Sequence, residues 1–237
     1  MAEVTGLRLA RSAGLKEKRL LALLAGHPEG DADLGATVED AQLLGSLELA
    51  GFAFSWEQVR DRETSAPPEA LALRAARLAV DREAPVSVLA LREWHRVALG
   101  GGQFRDLEAL SPGEGVPAPA PAPFIEGRLG NLEQWMAGES ARDLKAAQAG
   151  ALVLARVVEI RPFAFGNGRV SRLAASHMMV RGGLRPPILV GGDRARLEAC
   201  LRAAFRLDTE PLTALLQEAS ERCLDVMIQS LEARGEA

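Results

Sequence analysis

Between Arg142 and Ile160 apolar side chains return every three or four residues, with Leu144, Ala147, Ala151, Leu154 or Ala155, and Val158 along one face. Pro162 ends that run, because the residue before a proline is driven out of the α region. The seven-residue stretch Pro162-Phe163-Ala164-Phe165-Gly166-Asn167-Gly168 follows, and helical spacing resumes from about Arg169 to Val180 before Gly182-Gly183 stops it. Two helices joined by a short glycine-bearing corner commit the chain to helix-on-helix packing.

The rest of the sequence agrees. Leu7–Leu24 is an apolar or amphipathic stretch ended by Gly26-His27-Pro28, and Thr37-Val38-Glu39-Asp40 offers a helix cap for a segment running to Ala50, where Gly51 stops it. Phe52–Trp56 reads as an aromatic turn, Glu69–Asp81 as a helix behind Pro67-Pro68, and Val88–Leu99 as a helix capped by Ser87 and closed by Gly100-Gly101-Gly102. Ser111–Pro123 is irregular, and its alternating Pro117–Pro123 run predicts a stiff polyproline II connector. Helical spacing returns in Leu129–Met136, Asp193–Phe205 and Glu210–Glu232. Strand signal is weak throughout, which predicts an all-α fold.

Composition excludes several classes. The 237 residues carry 28 Lys+Arg against 32 Asp+Glu, a net charge of −4, so bulk electrostatic binding of nucleic acid is not expected. No run of about 18 apolar residues exists to cross a membrane. Met1–Lys18 lacks the apolar core of a signal peptide. Cys200 and Cys223 sit in apolar helical contexts without a CxxC spacing, which predicts inert thiols in a reducing, cytoplasmic setting.

The corner itself is the candidate site. The amides opening the second helix lack intrahelical acceptors and carry the positive end of its dipole, and Gly166 and Gly168 allow an anion to approach the backbone. Arg169 and Arg172, three residues apart, share the first turn. Cations at a helix N-terminus oppose the dipole, and an anion would relieve that conflict. A phosphate cradle of Gly166, Asn167, Gly168, Arg169 and Arg172 is one reading; a glycine-rich corner with two solvated arginines is the other.

Arg161–Arg172 resembles the signature of the Fic family, H-x-F-x-[D/E]-G-N-G-R-x-x-R. The resemblance extends to Leu91–Arg96 and the Gly102-Gln103-Phe104-Arg105 turn, to Ala146–Pro162, and to Pro186-Pro187-Ile188. It covers about Val86–Phe205 and implies a Fic-like helical bundle with a short β-hairpin flap over Leu107–Val116, an N-terminal helical extension over residues 1–83 and a Fic-like domain over 84–237. Fic proteins characteristically transfer AMP from ATP to a protein hydroxyl. The motif His acts as general base, the motif acid holds Mg²⁺, and the Gly-Asn-Gly segment and arginines hold phosphates.

Two positions depart from the signature. Arg161 stands where the base should be, and a guanidinium cannot accept a proton near neutral pH. Phe165 stands where the metal ligand should be and offers no oxygen, so Mg²⁺ is not expected. Arg161 is either a cation on a helix C-terminus or a third phosphate ligand. Phe165, with Phe163, either packs the loop or offers an aromatic face to a ligand. Ser46-Leu47-Glu48-Leu49-Ala50-Gly51 resembles the family's inhibitory segment, [S/T]-x-x-x-E-[G/N], within residues 37–51; Ser46 and Gly51 match, but Ala50 replaces the Glu that pairs with the second motif arginine. Glu48 is a weak candidate to reach Arg172 instead. Of His27, His95 and His177, none is an obvious substitute base, and Glu159 is a remote one.

Three functions follow as expectations. The first is a degenerate Fic-family pseudoenzyme that binds ATP or another nucleotide and is impaired in AMPylation. The second is a transferase with altered chemistry. The third is a regulatory module without ligand. The partner implied is a protein target or another Fic-family chain, with a homodimer as one assembly.

Overall fold

A computed structural model describes residues 2–26, 31–62, 66–109 and 116–235. The described residues form eleven α-helices: α1 (Ala2–Gly26), α2 (Asp31–Leu49), α3 (Trp56–Arg60), α4 (Pro68–Leu78), α5 (Val88–Leu99), α6 (Ile125–Ala137), α7 (Glu139–Arg142), α8 (Ala146–Ile160), α9 (Asn167–Arg181), α10 (Arg194–Ala204) and α11 (Glu210–Gly235). No strand occurs among them. The hairpin expected over 107–116 is therefore not seen: 107–109 and 116 are irregular, and 110–115 lie outside the described residues.

Local chemistry accounts for most boundaries. Ser87 caps α5 through its hydroxyl, which accepts from the Ala90 N–H, and Gly100 closes it in the left-handed region at φ +80°. Three boundaries differ from expectation. Helix α2 starts at Asp31 and runs through Thr37, because the apolar face that continues back to Leu34 is buried. Helix α9 starts at Asn167 rather than Arg169, which puts Asn167 and Gly168 in its first turn. The proline run keeps an extended Pro121 (φ −55°, ψ 141°) but ends in a 3₁₀ turn over Ala122–Phe124 that feeds α6 directly.

Helices α8 and α9 pack antiparallel at the centre. On one side Val153, Val157, Phe163 and Val170 share a core with Trp94 of α5 and Leu43 and Leu47 of α2. On the other side Leu154, Ala151 and Met179 meet Leu197 of α10 and Leu212 and Leu215 of α11. A third cluster joins Leu20 of α1, Leu34 of α2 and Leu224 and Leu231 of α11. Helix α2 therefore packs both on the core of the central pair and in the third cluster, where α1 joins it. Cys200 and Cys223 are free and buried, and burial pushes the Cys223 thiol up to about 12.

Two buried polar residues fix the corner between α8 and α9. Arg105 is 7% exposed. Its Nε donates to the Arg161 carbonyl (2.7 Å), its Nη1 to the Leu107 carbonyl (2.9 Å) and its Nη2 to the Ala120 carbonyl, while its own N–H donates to Pro162 (2.9 Å). One guanidinium thereby answers the unpaired carbonyls at the end of α8 and ties the chain on both sides of residues 110–115 to the motif loop. Burial, with Arg161 as a like charge nearby, holds Arg105 below its ordinary value although Glu108 opposes this. His95 stacks on Phe163 with ring centroids 3.9 Å apart, and its two ring nitrogens face the carbonyls of Gly101 (2.9 Å) and Phe165 (3.1 Å).

Helix α2 comes so close to the chain after α9 that only glycine fits at its contact. A Cβ on Gly45 would lie 1.7 Å from the Leu189 carbonyl oxygen. Gly45→Ala is expected to cost about 1–3 kcal/mol and to lower the melting temperature measured by circular dichroism. Arg105→Met, which leaves several carbonyls without a donor, is expected to cost at least about 2 kcal/mol in urea unfolding.

Candidate functional site: the α8–α9 corner

The corner is built from backbone conformations that its sequence can hold. Arg161 closes α8 in the left-handed region (φ 49°, ψ 62°), with its N–H still donating to Val157 at 3.1 Å. As expected, Arg161 lies outside the right-handed α region before Pro162 and the helix ends there. The left-handed conformation occurs with the Arg161 carbonyl in the grip of Arg105. Gly166 then turns the chain at φ +74°, and a Cβ there would lie 2.2 Å from Leu99 Cδ1. Conformation and space both require glycine at this position. The Asn167 side chain holds the loop from inside: its Oδ1 accepts from the Phe163 N–H (2.9 Å) and its Nδ2 donates to the Phe163 carbonyl (2.8 Å). Asn167 therefore serves the loop with its side chain, leaving its peptide N–H and the second Nδ2 hydrogen for a ligand.

Helix α9 begins at this turn. The N–H groups of Arg169 and Val170 both return to the Gly166 carbonyl (3.0 and 3.2 Å), so those of Asn167 and Gly168 precede the first intrahelical bond. Arg169 lies over the Phe52 ring at 5.6 Å, and Phe52 stacks on Phe54 at 5.4 Å. Burial holds Arg169 below its ordinary value.

Arg172 is the most constrained cation of the site. Its Nε donates to the Ser46 hydroxyl (3.0 Å) and its Nη2 to the Ser46 carbonyl (2.8 Å). Its Nη1 lies 3.1 Å from where a Gly168 Cβ would be, so the guanidinium sits against the first turn of α9. Burial, then the like charges of Arg169 and Arg194, push Arg172 down to about 9, which leaves it cationic at neutral pH. The Ser46 hydroxyl and carbonyl are both neutral, an uncommon pair of acceptors for a half-buried charge. Three arginines converge here and would be relieved by an anion.

The segment resembling an inhibitory helix does reach Arg172, but by Ser46. Its end is a Schellman turn, with Gly51 at φ +95°, the Gly51 N–H on Glu48 and the Phe52 N–H on Leu47. Ala50 is the exposed residue just before that turn and contributes no acid. Glu48 does not approach Arg172. Its Oε2 accepts from the Gly191 N–H (2.8 Å) and its carbonyl from Arg194 (2.6 Å), which turns it toward the Gly191–Asp193 turn.

Phe163 is buried, whereas Phe165 departs from the packing role expected for it. Its ring is 56% exposed and lies tilted against His95 at 5.6 Å, not against Phe163. His95 stacks on the face of Phe163 and Phe104 lies tilted against the same ring at 5.6 Å, so those two rings take the places beside Phe163. His177 Nε2 donates to the Ala84 carbonyl (2.7 Å), and the ring sits edge-on to Trp94, away from the corner. Glu159 pairs with Arg156. His27 lies outside the described residues. Two residues that sequence reasoning did not assign to the site, Arg105 and His95, prove to position it. The only hint was their place in the Gly-x-x-Arg turn and the helix before it.

No cluster of three His, Cys, Asp or Glu side chains able to hold a metal occurs among the described residues. No described helix is long and apolar enough to cross a membrane.

Residues 85–179 match the model of the Fic/DOC family. The proteins named protein adenylyltransferase Fic from Drosophila grimshawi and Drosophila melanogaster are each 27% identical over 164 residues, 67% of this chain and 33% of theirs, so the chain spans about a third of the length of these relatives. Among solved structures, a Fic-domain-containing signalling protein from Bacteroides thetaiotaomicron superposes with a TM-score of 0.76 at 19% identity, over 94% of this chain and 98% of that one. A Fic-1 fragment from C. elegans gives 0.74 at 18% identity, over 98% and 74%. The structural matches carry the fold, and the family match runs through α8 and nearly all of α9, the helices that frame the corner. Residues 85–179 carry the sequence of a Fic-family domain, and the chain around them has the fold of solved Fic-domain structures.

Proposed function

We propose that the chain binds a nucleotide or another phosphorylated ligand at the N-terminus of α9 and is impaired in adenylyl transfer, the activity named for its relatives. The observation that carries this reading is a division within one loop. The parts that bind anions are held in place: the Gly166 turn, the amides of Asn167 and Gly168, and Arg169 and Arg172. The parts that would run the chemistry are replaced. At position 161 a guanidinium stands where a general base would accept the target's proton, and at 165 an exposed phenyl ring stands where an oxygen would meet Mg²⁺. The donor set does not fit the metal, so ligand binding is taken to be metal-independent, and no step is assigned to Mg²⁺.

The same reading treats residues 1–83 as an extension whose helix α2 holds Arg172, and 84–237 as the Fic-like part. The buried free thiols suit a reducing compartment such as the cytoplasm. The partner would be a protein target or a second Fic-family chain.

Isothermal titration with ATP, ADP and AMP checks the ligand. Binding is expected with and without Mg²⁺, and Arg169→Gln should weaken it by about tenfold or more through loss of a charge-assisted contact. A strict requirement for Mg²⁺ would sink the reading.

Arg172→Met gives an independent check. It removes a half-buried cation that has only neutral partners, so the ligand-free variant should melt within a few degrees of wild type while losing ligand.

Chemistry is tested by restoring it. The left-handed backbone at 161 accommodates histidine readily. Arg161→His combined with Phe165→Glu should raise transfer of radiolabelled AMP by roughly 10²-fold or more, the usual worth of a general base. Wild-type transfer equal to that of the restored variant would refute the impairment.

A further inference from the structure

A second cationic site lies on the far side of α2. A cavity of about 700 Å³ opens between α2, α4, α5, α9 and α11, and it is lined by Arg62, Arg74, Arg77, Arg82 and Arg185. No residue of the 161–169 corner lines it. Its apolar wall includes Leu34, Trp94, Leu173 and Met227. The volume and the mixture of apolar wall with a few charged groups are those of a small-molecule site.

The charges do not balance from within. Arg62 and Arg74 share Asp40 (3.3 and 2.6 Å) and Glu39 (both 3.5 Å), and Arg185 faces Glu17 at 3.7 Å. Arg77 and Arg82 make no ion pair among the described residues; Arg77 donates to the neutral amide oxygen of Gln42. Burial holds Arg77 below its ordinary value, with Arg82 and Arg74 adding like charge while Glu39 opposes them. Nη1 of Arg74 is buried with no hydrogen-bond partner, and its Nε has only the ion pair with Glu39 at 3.5 Å. Unanswered buried donors are rare in folded proteins and mark a missing acceptor. In a chain of net charge −4, five arginines on one cavity wall are a local reversal of sign.

We propose that this cavity binds a small organic phosphate, a phosphomonoester joined to an apolar or planar body. A phosphomonoester carries about −1.5 to −2 charges near pH 7, which suits two cations that have no carboxylate of their own. Its three oxygens can accept from guanidinium forks in more than one direction, and the body would lie against the exposed apolar side chains of the lining, Leu78 and Val180. The site also has a route to the corner. Leu34, Val38 and Glu39 of α2 line the cavity, and the same helix holds Arg172 through Ser46. Between them, Gln42 donates to Ser176 (3.2 Å) and Pro187 (2.8 Å) beside a cavity of about 40 Å³ that Arg77 and Arg172 both line.

Phenyl phosphate is the probe, titrated calorimetrically into the full chain, with benzyl alcohol and benzoate as controls. Saturable binding of phenyl phosphate is expected, with benzyl alcohol silent and benzoate at least about tenfold weaker. Arg82→Gln changes an exposed side chain and should weaken phenyl phosphate by about tenfold without altering the melting temperature, and Arg77→Met should do the same if it folds. Arg169→Gln, which disables the α9 site, should leave one binding event in place. Binding abolished by Arg169→Gln and untouched by Arg82→Gln would assign the phosphate to the corner and overturn the proposal. So would equal affinity for benzoate, or no saturable binding at all. Failure of ATP to bind the corner would leave this result unaffected, since the two sites share no arginine.

Discussion

The corner between α8 and α9 depends on one buried guanidinium. Helix α8 ends against the core, where its last carbonyls cannot reach water, and Arg105 supplies the donors they lack. Because its fork also holds the carbonyls of Leu107 and Ala120, the same residue ties both of these positions to the corner. An arginine suits this task better than a lysine, since several fixed N–H directions must meet several carbonyls at once. The left-handed turn at Arg161, the placement of Pro162 and the start of α9 all follow from that anchorage. His95, stacked on Phe163 and bridging to the Phe165 carbonyl, sets the other edge of the loop.

On this rigid corner sits an electrostatic conflict. Arg169, Arg172 and Arg194 converge near the positive end of a helix dipole, and Arg172 is half-buried against neutral oxygen atoms of Ser46. Such a cation costs stability unless an anion joins it. The protein tolerates that cost because the large helical core around α8 and α9 supplies ample apolar burial. The loop therefore stores a preference for an anion rather than a preference for any particular reaction. In the proposed function, the side chains at 161 and 165 decide whether adenylyl transfer follows.

Helix α2 joins the two cationic regions of the molecule. One end contributes Ser46 to Arg172, and the other contributes Glu39 to the arginine-lined cavity. The close approach of Gly45 to the Leu189 carbonyl leaves the helix little room to shift without breaking both contacts. A helix held this tightly transmits displacement as a unit, since packed interiors deform little.

Much of this was legible in the sequence, because helical period, proline and glycine act locally. The end of α8 at Pro162, the Ser87 cap, the Gly100 and Gly51 stops and the turn at Gly166 each follow from the residue and its neighbours alone. The family resemblance rested on the same stretch. What the sequence could not decide were contacts between residues far apart in the chain. Nothing near Ser46 announces that it meets Arg172, nothing near Glu48 that it turns to Gly191, and nothing near Phe165 that His95 has already taken the face of Phe163. The start of α2 at Asp31 has the same cause, since burial of Leu34 against α1 and α11 outweighs a local capping signal at Thr37. The arginine-lined cavity is the clearest case: its five cations come from three separate stretches of chain and acquire a common purpose only when helix packing brings them to one wall.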